Sequence, residues 1–139
     1  NANECRGDAE DKNAKNIEIK ISLGTYEGKQ NYVQLRPHHN IDYYVFLSYN
    51  HLSGDFGDYY YFKMPAKEVY KLLPEYGGYA HGTIKEYGSI TTENIINNKC
   101  KNVEYALRPD PNANDRCKNK KLWNELLKWR CLDESTLFT

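Results

Sequence analysis

Three residues near the start of the chain have types and a spacing suited to hydrolytic chemistry. Glu18 and Lys20 stand two apart in Ile17-Glu18-Ile19-Lys20-Ile21, a strictly alternating run. On a β-strand this alternation sends the three isoleucines to one face and Glu18 and Lys20 to the other. The polar stretch at 11–16 just before it reads as a turn. A hairpin symmetric about Asn13 puts Asp8 directly opposite Glu18. Cross-strand neighbours have Cβ atoms about 4.5–5.5 Å apart. Two carboxylates at that range can share one Mg²⁺, a cation that prefers oxygen ligands. Such a metal polarises a phosphate and lowers the pKa of a bound water, and Lys20 can orient the water or stabilise the developing charge. Asp8, Glu18 and Lys20 on one strand pair therefore make a workable phosphodiesterase centre. Two alternatives stay open: Glu10 or Asp11 takes the place of Asp8 if the hairpin turns elsewhere, or Glu18 and Lys20 are an ordinary charge pair on a solvated strand face.

The elements that must position these residues follow from pattern and punctuation. Residues 28–36 read as a short helix stopped by Pro37. Residues 42–49, apolar and aromatic nearly throughout, read as a strand buried on both faces. A Gly- and Asp-rich loop at 53–58 leads to a second aromatic strand at 59–64. Pro65 suits a helix start, and 66–73 carries Val69, Leu72 and Leu73 at helical spacing, ended by Pro74. Residues 77–92 suggest short strands and turns, and 97–119 look mostly irregular. Residues 121–131 read as an amphipathic helix, with Leu122, Leu126 and Trp129 at i, i+4 and i+7. With no repeat, heptad run or linker, one α/β (α+β) domain over 1–139 is expected, a mixed β-sheet flanked by helices.

In this order the residues resemble a known family. Gly7-Asp8, a short gap and Ile17-Glu18-Ile19-Lys20 are similar to the D…(D/E)xK motif of the restriction-endonuclease-like nuclease superfamily. Gln34-Leu35-Arg36-Pro37 followed by Asp42-Tyr43-Tyr44 looks most like type II restriction enzymes. The resemblance covers roughly residues 5–50. It implies a restriction-endonuclease-like fold acting on double-stranded DNA. Asp8 and Glu18 would bind Mg²⁺ (Mn²⁺ substituting), Lys20 would serve the attacking water, and Gln34 would support the site. It also implies a homodimer that cuts both strands, the alternatives being a junction-resolvase type of nuclease or an inactive DNA-binding or interaction module. Gly7 replaces the usual proline. Family members carry a helix before the first aspartate, whereas Asp8 has seven residues ahead of it; either an N-terminal segment lies outside this chain or the core is completed differently.

Other features are less specific. Arg36 and His38 sit where they could touch phosphate, and His39-Asn40 resembles an HNH nuclease only faintly, without a second spaced histidine. The Gly-flanked stretch around His81, Thr83 and Lys85 could form a DNA-reading loop or an ordinary turn. Basic residues outnumber acidic ones in the last third, with Arg116, Lys118 and Lys120 the candidate phosphate contacts. Thirteen Tyr, four Phe and two Trp argue against disorder despite a mean hydropathy of −0.87. Net charge is zero, so attraction to DNA must come from local patches. Cys5, Cys100, Cys117 and Cys131 form no CxxC pair, which speaks against structural zinc. Reduced thiols are expected, although their even number permits two disulfides and a secreted binding domain. No apolar run approaches the ~18 residues of a membrane span, and the first residues lack a signal-peptide core. The reading is therefore of a cytoplasmic (intracellular) protein with no membrane partner.

Overall fold

A computed structural model describes residues 4–80 and 84–139, with the backbone alone at 4, 84 and 85. The chain is a mixed α+β fold. Strands β1 (Ala9–Glu10), β2 (Asn16–Ser22), β4 (Tyr43–Asn50), β5 (Asp58–Pro65) and β8 (Arg130–Cys131) form one five-stranded sheet in the order β1-β2-β4-β5-β8. Only the β2–β4 pair is parallel. Strands β3 (Tyr32–Leu35), β7 (Tyr105–Leu107) and β6 (Gly78–Tyr79) form a second, antiparallel sheet. The helices are α1 (Ala66–Tyr76), α2 (Ile84–Tyr87), α3 (Thr92–Asn97) and α4 (Lys118–Leu127). Among the described residues no helix is long and apolar enough to cross a membrane, and all four cysteines are unpaired.

The alternation in β2 sorts the side chains as the sequence implies, yet the charged face is the more enclosed one. Glu18 pairs in register with Tyr44 and Tyr44 with Met64; Lys20 pairs with Phe46 and Phe46 with Phe62. Cross-strand partners share a face, so Glu18 and Lys20 continue the row that forms the main core. Over that row pack Val69 and Leu73 of α1, Leu122, Trp123 and Leu126 of α4, and Tyr32, Leu35, Tyr105 and Leu107 of the second sheet. The opposite face carries Ile17, Val45 and Leu137 in a smaller cluster, and Ile21 there is 62% exposed while Glu18 is 8%.

Four expectations are corrected. Residues 32–35 are strand β3, not part of a helix. Tyr32 and Leu35 pair with Leu107 and Tyr105, so three residue steps on β3 face two on β7, a β-bulge. The extra residue gives two buried side chains an i, i+3 spacing that imitates a helix. Pro74 does not end α1, which runs to Tyr76. It lies in the final turn, where a missing N–H forfeits a single intrahelical bond, and Gly77 N–H still reaches the Leu73 carbonyl. The supposedly irregular 97–119 contains β7, buried at all three residues and central in its sheet. Finally, α4 stops at Leu127, and Arg130–Cys131 turns back as an edge strand on β5.

Candidate functional site

The hairpin places Asp8 where its symmetry requires. Ala9 pairs with Ile17 and Glu10 with Asn16, and the Asp8 N–H donates to the Ile17 carbonyl at 2.8 Å. Continued by one residue, that register sets Asp8 opposite Glu18. Beyond this point β1 leaves the sheet through Gly7, at φ 86°, and the Asp8 side chain takes over the ladder: Oδ2 accepts the Ile19 N–H at 2.9 Å. Both backbone groups of a strand residue point to the same edge, so the Ile19 carbonyl also faces the side that β1 has vacated. Glu10 and Asp11 do not compete. Glu10 pairs with Asn16 and is not among the residues lining the cleft that Asp8 shares with Glu18, and Asp11 Oδ1 accepts the Asn13 and Lys15 N–H groups of the turn.

Asp8, Glu18, Ile19, Lys20, Gln34 and Arg36 together line an open cleft of about 380 Å³. The bulge brings Gln34 there. Gln34 is left-handed, φ 56°, inside a strand, a conformation that costs about 1 kcal/mol or more for a residue with a Cβ; it directs the side chain to the cleft while Leu35 stays buried. Arg36 Nε donates to Glu104 Oε2. Glu104 is a neighbour that sequence reasoning missed, because 68 residues separate the two and nothing local marks the pairing. Tyr44, the register partner of Glu18, and Tyr70 of α1 have hydroxyls 2.9 Å apart, and Tyr70 also donates to the Arg36 carbonyl at 3.3 Å.

The electrostatics of the two acids diverge. Burial, with the Asp8 hydrogen bond second, pushes the Glu18 carboxyl from its ordinary 4.5 up to about 7. The shared hydrogen bond with Glu18, joined by the Ile19 N–H, holds Asp8 below its usual range. Without metal, the pair keeps one proton into neutral pH, on Glu18. Burial lowers the Lys20 ammonium, although Glu18 pulls the other way. Burial and the neighbouring His39 and Arg36 also lower His38.

A pH dependence follows. Glu18 has a raised folded pKa, so the stability it contributes is fully present below about pH 4.5 and lost as pH rises toward 7. At about 1.4 kcal/mol per tenfold change in proton affinity, the loss is on the order of 3 kcal/mol at most. Metal-free protein should lose stability relative to Glu18→Gln across that window in urea titrations, and parallel curves would refute the assignment. Asp8 acts in the opposite sense at lower pH, where its depressed pKa takes stability away as pH falls.

The other sequence candidates lie elsewhere. His38 stacks edge-on against His39 behind Arg36 and does not line the cleft. Arg116 and Lys118 are exposed at the start of α4. The Lys120 ammonium is committed to the Pro111 carbonyl at 2.9 Å and to Asp115. His81, Thr83 and the Lys85 side chain fall outside the described residues. Among the described residues no group of three or more His, Cys, Asp or Glu converges as a metal cage. No protein-family model matches the chain, and neither a curated protein nor a solved structure matches it.

Proposed function

We propose that the chain is a Mg²⁺-dependent endonuclease of restriction-endonuclease-like type that hydrolyses phosphodiester bonds in double-stranded DNA. The observation that carries this reading is the meeting of Asp8, Glu18, Lys20, Gln34 and Arg36 in one cleft. Asp8, Glu18 and Lys20 come from one hairpin, and Gln34 on β3 with Arg36 just after it reaches the same cleft from a different sheet.

The donor set fits a hard divalent cation. Two carboxylates lie within hydrogen-bonding reach, the Ile19 carbonyl faces the same edge, and the proton held by Glu18 marks negative charge that a cation would neutralise. Mg²⁺ accepts such oxygen ligands and keeps several waters; Mn²⁺ should substitute. When bound, the ion supplies Lewis-acid polarisation of the scissile phosphate and acidifies water. Asp8 and Glu18 hold it. Lys20, half-buried beside Glu18, orients the attacking water and offsets negative charge as it develops. Arg36, at the mouth, exchanges Glu104 for a phosphate oxygen, and Gln34 fixes the orientation of the strand. A type II restriction enzyme, cutting both strands as a two-fold dimer, is the form we favour.

The test is plasmid cleavage with Mg²⁺, paired with Mn²⁺ calorimetry on the intact protein and on Asp8→Asn/Glu18→Gln. Cleavage and a site lost in the double variant are expected. Discrete fragments would point to restriction, and a smear to a nonspecific or structure-guided enzyme. If no DNA is cut and no Mn²⁺ site depends on these acids, the domain is a binding module and the proposal fails.

A further inference from the structure

The catalytic cleft is poorly equipped to attract a polyanion by itself. Its charged side chains are two acids, Asp8 and Glu18, and two bases, Lys20 and Arg36, and Arg36 is already paired with Glu104. The whole chain has no net charge either. A DNA-cutting reading therefore requires a local excess of positive charge close by.

That excess lies on the other side of the Arg36–Pro37 corner. A groove of about 260 Å³ between α1 and α3 has Lys67, Lys71 and Lys99 among its lining residues and no acid. Lys67 and Lys71 are one helical turn apart on α1, so they project on the same side, and Lys99 faces them from the turn after α3. All three are exposed. Lys71 meets Glu68 in a surface pair at 3.2 Å, an interaction worth well under about 1 kcal/mol and easily exchanged for a phosphate. The floor is apolar, with Pro37, Tyr70 and Ile96, the last 66% exposed. Groove and cleft are joined covalently at Arg36–Pro37 and by the Tyr70 hydroxyl on the Arg36 carbonyl.

We infer that this groove is a second DNA-contact surface, in which the three lysines bind phosphates flanking the scissile one and the apolar floor packs against deoxyribose. The inference rests on the nuclease reading above and extends it to how substrate is captured. Cationic walls with an apolar floor match the alternation of charged phosphate and carbon-faced sugar along a strand. Three lysines beside the cleft of a chain with no net charge supply a local attraction for DNA.

The experiment measures affinity for a linear duplex by fluorescence anisotropy in Ca²⁺ over a range of salt. It compares wild type with the triple variant Lys67→Gln/Lys71→Gln/Lys99→Gln. Expected are an affinity at least about thirtyfold weaker near 0.1 M salt and a log–log salt slope shallower by about 2–3, at ~0.9 per phosphate contact. An equal-charge control, Arg116→Gln/Lys118→Gln/Lys121→Gln at the start of α4, should cost much less. If the control costs as much, or the groove variant binds like wild type, the inference is overturned, whether or not the enzyme cuts. If wild type binds through the groove but never cuts, the nuclease reading falls and the groove stands as a DNA surface.

Discussion

Lys20→Ala should cut DNA at least about a hundredfold more slowly than the intact protein at saturating Mg²⁺, a loss of roughly 2.7 kcal/mol in transition-state stabilisation. The ammonium sits in the same strand face as Glu18 and is half-buried, so its charge acts in a medium that screens it less than water does. Alanine removes that charge and the donor that orients water without touching the acids. Glu18→Gln should be at least as severe, for a different reason: it withdraws a carboxylate that the proposed Mg²⁺ site needs. The two variants should therefore part company in calorimetry. Lys20→Ala keeps Mn²⁺ binding, whereas Glu18→Gln loses it. Lys20→Arg should rescue little, because a planar guanidinium has a different donor geometry and reaches further than an ammonium. Single-turnover cleavage of a plasmid measures all three, and wild-type rates in Lys20→Ala would remove the lysine from the mechanism.

Gly7→Ala should destabilise the protein by about 2–3 kcal/mol and slow cleavage at least about tenfold. Gly7 is at φ 86°, and a Cβ there would lie 2.5 Å from the Ile17 carbonyl oxygen and 2.9 Å from its carbon. The left-handed conformation alone costs an L-residue roughly 1–2 kcal/mol. The backbone clash must also push the chain away from β2, which weakens the Asp8–Ile17 bond, worth about 1 kcal/mol net. Asp8 would move with it, and a displacement near 1 Å can cost ~10² in rate. Gly54→Ala is the control: its φ is 65°, but nothing lies within 4 Å of the added carbon, so it should show the backbone cost alone and no catalytic loss. Urea midpoints and cleavage rates test both, and equal behaviour of the two variants would mean that the Ile17 contact does not constrain the hairpin. Gly7 thus has a physical reason to stand where the resembling family has proline: the chain must leave the sheet immediately before the acid.

Much of the candidate site was legible because its determinants are local. Strand alternation put Glu18 and Lys20 on one face, and the turn at 11–16 set the register that brings Asp8 opposite Glu18. The aromatic strands β4 and β5 were readable for the same reason, since each is a continuous run of apolar and aromatic residues. Composition and periodicity together determined a mixed α+β chain with strands near 17–21, 42–49 and 59–64 and helices beginning near 66 and 121, the last of which starts at Lys118.

What only the tertiary structure decided depends on partners far away in sequence. Residues 32–35 became a strand because β7, more than 60 residues on, offers them a ladder, and the bulge that turns Gln34 into the cleft exists only in that pairing. β7 itself is three residues long and too short to announce itself by period. Likewise Glu104 finds Arg36, and Lys99 finds Lys67 and Lys71, through packing of elements that share no local pattern. The enclosure of Glu18, and with it a proton held to about pH 7, also comes from packing. Alternation fixes which side chains share a face, but only the layers stacked on that face decide whether a carboxylate there stays in water or is desolvated.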